Sequence, residues 1–217
     1  MTFLPAPPNH GIKFQRIDLE GRPTVDADCD LVVDVSRGTT LEQNGARVYT
    51  VEHVLAALVG LEVDNVLIQL DGPEPPIMDG SSIQFIEVLE DAGFEEQNAL
   101  RRFFEVQESI QYKDASREVE MVALPTDNYR VTVMVDYNSP VLGSQHASIT
   151  DISQFKSEIA SCRTFCFLHE LEMLYNSNLI KGGDLNNAIV VVDRVVEKDE
   201  LQHLAKMFNK QHVEVKK

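Results

Sequence analysis

The sequence predicts an α+β fold in which helices cover small β-sheets. Two observations come from the first part of the chain: apolar residues recur at helical spacing after Val51, and a strand pattern runs from Asn65 to Asp71. The third is that strand and helix patterns follow one another again after residue 98. Two such units favour sheets that are layered with helices.

The composition is that of an ordinary globular protein and excludes one class of partner. The chain has 217 residues, of which 43% are hydrophobic and 25% are charged, enough for one large or two small domains. Its formal net charge of -16 would repel a phosphate backbone, so nucleic acid is not expected as a partner. The same negative charge favours solubility and a monomer.

Three cysteines are too few and too scattered to indicate a disulfide framework. Cys162 and Cys166 are four residues apart, but no second Cys or His pair accompanies them, so we expect small apolar core residues rather than metal ligands. The chain shows no signal-peptide pattern and no apolar run of about 18 residues, the length that a membrane span requires. A cytoplasmic protein without stable membrane insertion is therefore expected.

The first elements are predicted from alternation and helical spacing. Residues 2–11 indicate the end of a strand that enters a proline-stiffened turn. Ile12 to Ile17 alternates imperfectly, which predicts a strand whose partner we expect upstream of Met1. Apolar residues spaced i, i+3, i+4 and i+7 from Val51 then predict an amphipathic helix that ends at Gly60.

A second strand and helix complete the first unit. The strand Asn65 to Asp71 is followed by a turn rich in glycine and proline, residues 72–76. Ser81 and Gln84 have the spacing of a capping box, which predicts a helix from about Ser81 to Ala92.

The polar stretch 95–98 predicts a domain boundary, with a first domain over residues 1–98 and a second over residues 99–217. We expect the second domain to begin with a strand at Phe103 to Val106. Its other predicted elements are a strand at 129–135, helices at 152–161 and 167–177, and a strand at 188–193.

Glu52 and His53 place a carboxylate beside an imidazole in the first turn of the predicted helix. On these two residues alone, a solvated surface pair is the commoner interpretation. The helix dipole adds a modest argument for chemistry, since the positive N-terminus disfavours imidazolium, and neutral imidazole is the form that binds metal.

Four segments together are far more specific. Thr50-Val51-Glu52-His53 precedes Asp64-Asn65 and then the turn Pro73 to Ser81, while Cys162 to Phe167 and Gly182-Gly183 with Asn187 to Val191 follow in the second half. In order and separation they resemble the UDP-3-O-acyl-N-acetylglucosamine deacetylase family over nearly the whole chain. Taken singly, each has a structural interpretation as a turn, a helix end or a flexible loop.

The resemblance implies two similar domains, each a two-layer α/β sandwich of a small sheet and helices, with the active site between the layers. It assigns the turn at residues 75–80 the structural task of supporting the Glu52-His53 helix. It also implies a hydrophobic passage for the acyl chain, formed by an insert at roughly residues 166–193. The apolar residues of that insert are equally compatible with ordinary core: Phe167, Leu168, Leu171, Leu174, Leu179, Ile180 and Ile189.

By the same resemblance, the reaction is zinc-dependent hydrolysis of the substrate's N-acetyl group, an early committed step of lipid A biosynthesis. His53 is expected to bind Zn²⁺ and Glu52 to act as general base. The Thr164 hydroxyl is expected to stabilise the oxyanion, and Phe165 to contact the acyl chain or the sugar ring.

The sequence also departs from the family pattern. An upstream strand with a glycine-rich, His-containing loop is not found, nor is the H-K-x-x-D element that provides the remaining zinc ligands; neither His203 nor His212 begins such an element. We therefore expect an incomplete enzyme, truncated at both ends. The alternative is a non-catalytic nucleotide-sugar-binding remnant.

Overall fold

The computed structural model describes residues 1–176, 187–213 and 215, and it confirms the α+β class. The first half of the chain contains, in order, β1 (Thr2–Pro5), β2 (Ile12–Arg16), β3 (Thr24–Asp26), β4 (Val32–Asp34), β5 (Thr40–Gln43), β6 (Ala46–Val48), α1 (Glu52–Gly60), β7 (Val66–Leu70) and α2 (Ile83–Ala92). The structure confirms the predicted strands at the chain start, from Ile12 and from Asn65. It also confirms both predicted helices, with small shifts of the element ends.

The main sheet has four strands in the order β1-β7-β2-β3. Strand β7 is antiparallel to β1 and parallel to β2, and β3 is antiparallel to β2. The expectation that the partner of β2 lies upstream of Met1 was wrong. Both neighbours of β2 come from later in this chain, because the buried positions of β7 pair in register with it, as in Phe14 opposite Ile68.

A second, antiparallel sheet has the order β4-β5-β6. Its β5-β6 hairpin turns at Asn44 and Gly45, whose φ angles are 54° and 75°. Two consecutive positive φ angles are the requirement of a tight two-residue hairpin, and Asn-Gly meets it at the lowest steric cost.

One hydrophobic core joins both sheets and both helices of this half. Phe14 of β2 and Ile68 of β7 are fully buried in it together with Leu58 of α1 and Ile86 of α2. Phe155 and Ala160, from beyond residue 98, belong to the same core. Burial of this kind stabilises a fold by roughly 25 cal/mol for each Å² of apolar surface removed from water.

The start of α2 corrects one expectation. Ser82, not Ser81, is the residue before the helix, and the helix has no side-chain cap. The Ser81 hydroxyl accepts from the Ile83 amide at 3.2 Å and donates to Asp79 Oδ1 at 2.7 Å, so the predicted capping box with Gln84 is absent.

The second half contains β8 (Ile110–Asp114), β9 (Val119–Ala123), β10 (Val131–Asp136), β11 (Ser144–Ile149), α3 (Phe155–Glu158), β12 (Phe165–Phe167), α4 (Leu168–Asn176), β13 (Ile189–Val191) and α5 (Lys198–Met207). Strands β8-β9 and β10-β11 form antiparallel hairpins, and β12 pairs in parallel with β13. The strands predicted at 129–135 and 188–193 and the helix at 167–177 are confirmed within the described residues.

Three predictions for this half were wrong in extent, kind or burial. Residues 103–106 form no strand, and no strand in the described part of the chain pairs with them. Phe103 and Phe104 are 81% and 90% exposed. The helix predicted at 152–161 is a 3-10 turn, Ile152–Gln154, followed by the four-residue α3. Cys162 is exposed rather than part of a core, whereas Cys166 is half-buried.

A smaller core lies between α4 and α5. Leu168 and Leu171 pack with Leu204, and partly buried Cys166 and Val190 lie against them. The domain boundary at 98/99 and the similarity of two domains stay predictions. None of the helices in the described residues combines the length and the apolar character that crossing a bilayer demands.

Candidate active site

Helix α1 places Glu52 and His53 at its N-terminus, where both side chains are half-buried. The helix begins after Thr50, which has a φ angle of 52°, and Val51, which provides no side-chain cap. A carboxylate in the first turn complements the positive end of the helix dipole. The half-buried Glu52 side chain therefore lies at the positive end of α1.

The Glu52 carboxylate is oriented by the loop between β4 and β5. Its Oε2 atom accepts a hydrogen bond of 2.9 Å from the backbone N–H of Thr39. The neighbouring Gly38 lies so close that a Cβ atom there would be 3.5 Å from Glu52 Oε1 and 3.2 Å from Thr50 Oγ1. Backbone contact on one side therefore restricts the rotation of the carboxylate.

The turn that precedes α2 supports α1 from the other side. On the N-terminal side of the turn, Pro73 O accepts from the Tyr49 amide at 2.9 Å and Glu74 accepts from the Thr50 hydroxyl. After it, the buried Ser82 hydroxyl donates to His53 O at 2.9 Å. These contacts come from the residues on either side of 75–80, and the supporting task expected of that turn stays a prediction.

The same turn contacts the segment that contains Thr164. The Thr164 amide donates to Gly80 O at 2.8 Å, and Arg163 Nε donates to Asp79 O at 2.8 Å. Gly80 has a φ angle of 84°, and a Cβ atom there would lie 1.9 Å from Asn187 O. Only glycine fits this position without displacing the backbone.

Residues 79–82 thus connect the two predicted catalytic segments through hydrogen bonds that are each accepted by a main-chain carbonyl. His53 is bound on one side through Ser82, and Thr164 on the other through Gly80. Thr164 is exposed just before β12, and its carbonyl accepts from the Ile189 amide at 2.9 Å. That the side chains of Glu52, His53 and Thr164 share one cleft stays a prediction.

Phe165, the predicted substrate contact, belongs to an aromatic cluster. Its ring centroid lies 5.5 Å from that of Tyr137 and 5.9 Å from that of Phe167, both in edge-to-face geometry. Phe167 in turn stacks on His169 at 5.3 Å. Phe165 is 37% exposed, so an apolar ligand could reach it.

The predicted acyl-passage insert divides between core and surface. Leu168 and Leu171 are buried in the core beside α5, whereas Ile189 is 47% exposed. Leu179, Ile180 and Gly182-Gly183, like the side chain of Leu174, lie outside the described residues.

The donor set around His53 does not by itself complete a zinc site. In residues 1–176, 187–213 and 215, the one group of three His, Cys, Asp or Glu side chains with converging ligand atoms is the exposed Asp28, Cys29 and Asp30. A catalytic zinc site uses three protein ligands. His53 can therefore provide one imidazole, but the described residues bring no second and third ligand to it.

Sequence reasoning missed Gly38, Thr39 and Ser82 as neighbours of the site. Thr39 contributes only its backbone N–H, so the residue type at this position gives no signal of the contact. Ser82 could have been noticed as a second hydroxyl beside Ser81, but its partner is a main-chain carbonyl that only the fold brings near.

Known proteins similar to this chain include deacetylases and longer, bifunctional enzymes. The chain is 45% identical over 99% of its length to a protein of Bacteroides thetaiotaomicron named bifunctional enzyme LpxC/FabZ, and covers 46% of it. It is 48% identical over 94% of its length to a Chlorobaculum tepidum protein of the same name, and covers 44% of that protein.

A shorter relative bears the name of the deacetylase alone. The UDP-3-O-acyl-N-acetylglucosamine deacetylase of Methylococcus capsulatus is 41% identical over 93% of this chain, which covers 67% of that protein. The chain thus spans slightly less than half of the bifunctional relatives. The family model for LpxC, UDP-3-O-acyl N-acetylglycosamine deacetylase, matches residues 1–208, and the chain therefore belongs to that family.

Proposed function

We propose that this chain provides the Glu-His helix and the oxyanion side of a zinc-dependent deacetylase that acts on UDP-3-O-acyl-N-acetylglucosamine. The reaction would hydrolyse the N-acetyl amide, release acetate and leave a free amine on the sugar, as an early committed step of lipid A biosynthesis. The observation that carries the proposal is the link from α1 through residues 79–82 to Thr164, in a chain matched by the deacetylase family model.

Glu52 is proposed as the general base. Its carboxylate would take a proton from the water that attacks the acetyl carbonyl, and general-base catalysis of this kind contributes roughly 10²- to 10⁴-fold in rate. The 2.9 Å hydrogen bond from the Thr39 amide supports this role, because it fixes one carboxylate oxygen and so orients the group before substrate arrives.

Thr164 is proposed to donate its hydroxyl hydrogen bond to the oxyanion that develops on the carbonyl oxygen. Its amide and carbonyl are both engaged, by Gly80 O and the Ile189 amide, so the main chain that positions the hydroxyl is fixed. A preorganised donor of this kind stabilises the transition state more than the ground state. The nearby aromatic cluster of Phe165 supports a contact with the acyl chain or the glucosamine ring.

His53 is proposed as one ligand of the zinc ion. When bound, zinc would lower the pKa of a water molecule and polarise the substrate carbonyl. The remaining ligands, in this proposal, come from outside the described residues. The free cysteines agree with a reducing, cytoplasmic location, and the net charge of -16 agrees with a monomer; both are part of the proposal.

The experiment uses the full-length gene product, with zinc content and acetate release from the UDP-sugar measured in parallel. Glu52→Ala should keep the metal and lose about 10²- to 10⁴-fold in turnover, whereas His53→Ala should lose the metal. Glu87→Ala, which changes an exposed glutamate on α2, serves as the control and should match the wild type. Equal metal content and equal turnover in all three variants would refute the division of roles.

The alternative is a nucleotide-sugar-binding protein without catalysis. The two proposals differ in one measurement. A full-length product that binds the UDP-sugar, contains no stoichiometric zinc and releases no acetate is the binding protein. Zinc near one equivalent together with turnover identifies the deacetylase.

A further inference from the structure

The loop between β4 and β5 contacts two distant acidic residues, and only one of them belongs to the predicted site. Arg37, with a φ angle of 62°, extends its guanidinium from this loop to Glu170 in the first turn of α4. The distance from Arg37 Nη2 to Glu170 Oε1 is 2.5 Å, across 133 residues of sequence. Arg37 is 43% exposed and Glu170 22% exposed in their side chains, so water partly screens the pair.

Glu170 is held in place independently of Arg37. Its second oxygen, Oε2, accepts from the Phe167 amide at 3.2 Å, and its place in the first turn of α4 suits a negative charge. Burial opposes ionisation of this carboxyl, but the hydrogen bonds from Arg37 and Phe167, with the charges of Arg37 and His169, hold its pKa below the ordinary glutamate value. Glu170 is therefore a fixed anion on the β12-α4 segment.

The other end of the loop is bound to Glu52. Thr39, two residues after Arg37, donates its amide to Glu52 Oε2, and Gly38 lies against Glu52 and Thr50. A short loop thus spans from the α1 N-terminus to the segment that follows Thr164 and Phe165. Only Gly38 separates Arg37 from the Thr39 donor, whose own carbonyl accepts from the Val51 amide at 3.3 Å.

We propose that Arg37 and Glu170 form a positioning pair, which keeps residues 36–39 closed over Glu52 and so fixes the orientation of its carboxylate. The inference rests on the proposed function of Glu52 as the base. Neither residue is catalytic, since both act through the Thr39 amide. Partly exposed ion pairs are worth at most about 1 kcal/mol, so the closed arrangement is favoured by up to roughly fivefold.

The first test measures hydrogen exchange at the Thr39 amide by NMR in residues 1–217. Arg37→Gln and Glu170→Gln should each speed exchange by up to about fivefold. The charge exchange Arg37→Glu with Glu170→Arg should restore part of the protection, because an arginine at this position cannot accept from the Phe167 amide. Glu200→Gln, which removes the similarly exposed Arg194–Glu200 pair, is the matched control and should leave Thr39 unchanged. Unaltered Thr39 exchange in both single variants would overturn the proposal.

The second test measures kcat and KM separately in the full-length gene product. The single variants should lower kcat, but by a smaller factor than they speed Thr39 exchange, because kcat follows the closed fraction of the loop and exchange follows the open fraction. KM should change little, and the charge-exchanged pair should recover part of kcat. Faster exchange with unchanged kcat would show that the pair holds the loop but does not position the base, which also overturns the proposal. A Glu52→Gln variant with wild-type turnover would instead refute the proposed function of Glu52 as the base. The hydrogen-exchange result on the loop would remain valid in that case.

Discussion

The hydroxyl of Ser82 donates a 2.9 Å hydrogen bond to the carbonyl oxygen of His53, and so ties the start of α2 to the first turn of α1. Ser82 is 6% exposed, which means that water cannot easily replace the lost donor. Ser82→Ala should therefore lower the free energy of unfolding by about 1 kcal/mol. Ser157→Ala removes an exposed hydrogen bond from the Ser157 hydroxyl to a main-chain carbonyl, and should lower the free energy of unfolding by less. Urea unfolding of both variants gives the comparison, and equal losses would contradict it.

Gly80 is predicted to tolerate no side chain. Gly80→Ala forces a Cβ into a backbone with a φ angle of 84° and to within 1.9 Å of Asn187 O, so the loop must move away from the β12-β13 region. Backbone strain of this type costs about 1–3 kcal/mol before the clash is counted. Gly72→Ala, where a Cβ would meet no atom within 4 Å, is the control. Similar midpoints in urea for the two variants would show that the loop relaxes freely.

Gly60 and Phe155 should be energetically coupled across the chain. A Cβ at Gly60 would lie 2.1 Å from Cδ1 of the buried Phe155 ring. Gly60→Ala should destabilise the protein with Phe155 present and much less after Phe155→Ala, which alone costs roughly 3–5 kcal/mol. A double-mutant cycle by urea unfolding should yield a coupling of about 0.5–3 kcal/mol. Gly72→Ala combined with Phe155→Ala should give additive losses of unfolding free energy. A coupling near zero between Gly60 and Phe155 would show that the Phe155 ring does not lie against Gly60.

The lowered pKa of Glu170 predicts a loss of stability in acid. Because the folded state binds this proton less readily than the unfolded state, the Glu170 contribution is complete above the ordinary glutamate pKa of about 4.3 and disappears as pH falls through the lower folded value. Glu170→Gln should show a smaller decrease in unfolding free energy between neutral and acidic pH than the wild type. Denaturant unfolding across this pH range measures the difference; parallel curves would contradict the shift.

Long elements with clear periodicity were predictable from the sequence. Helix α1 and strand β7 were found because their buried residues repeat at 3.6 and 2 positions, a pattern that the core imposes directly. The α5 helix was missed although Leu201, Leu204 and Phe208 have helical spacing and share a core with α4. The β5-β6 hairpin was also missed, although Asn44-Gly45 is a strong turn signal.

Other features had no local signal. Phe103 and Phe104 have high strand propensity, but a strand also needs a partner, and propensity does not specify one. The roles of Glu52, His53, Thr164 and Phe165 came from resemblance to a family and stay predictions. The bonds around them, such as the one from the Thr39 amide to Glu52, depend on main-chain atoms that every residue type except proline provides.

The pairing of β1 with β7 also sets an order of events during protein synthesis. Thr2 lies opposite Gln69, so strand β1 has no partner in this sheet until about 65 more residues have been added. At bacterial and eukaryotic translation rates this takes roughly 3 to 13 seconds. During that interval Phe3 and Leu4 are unpaired apolar residues on a nascent chain, available to any chaperone that binds extended hydrophobic segments.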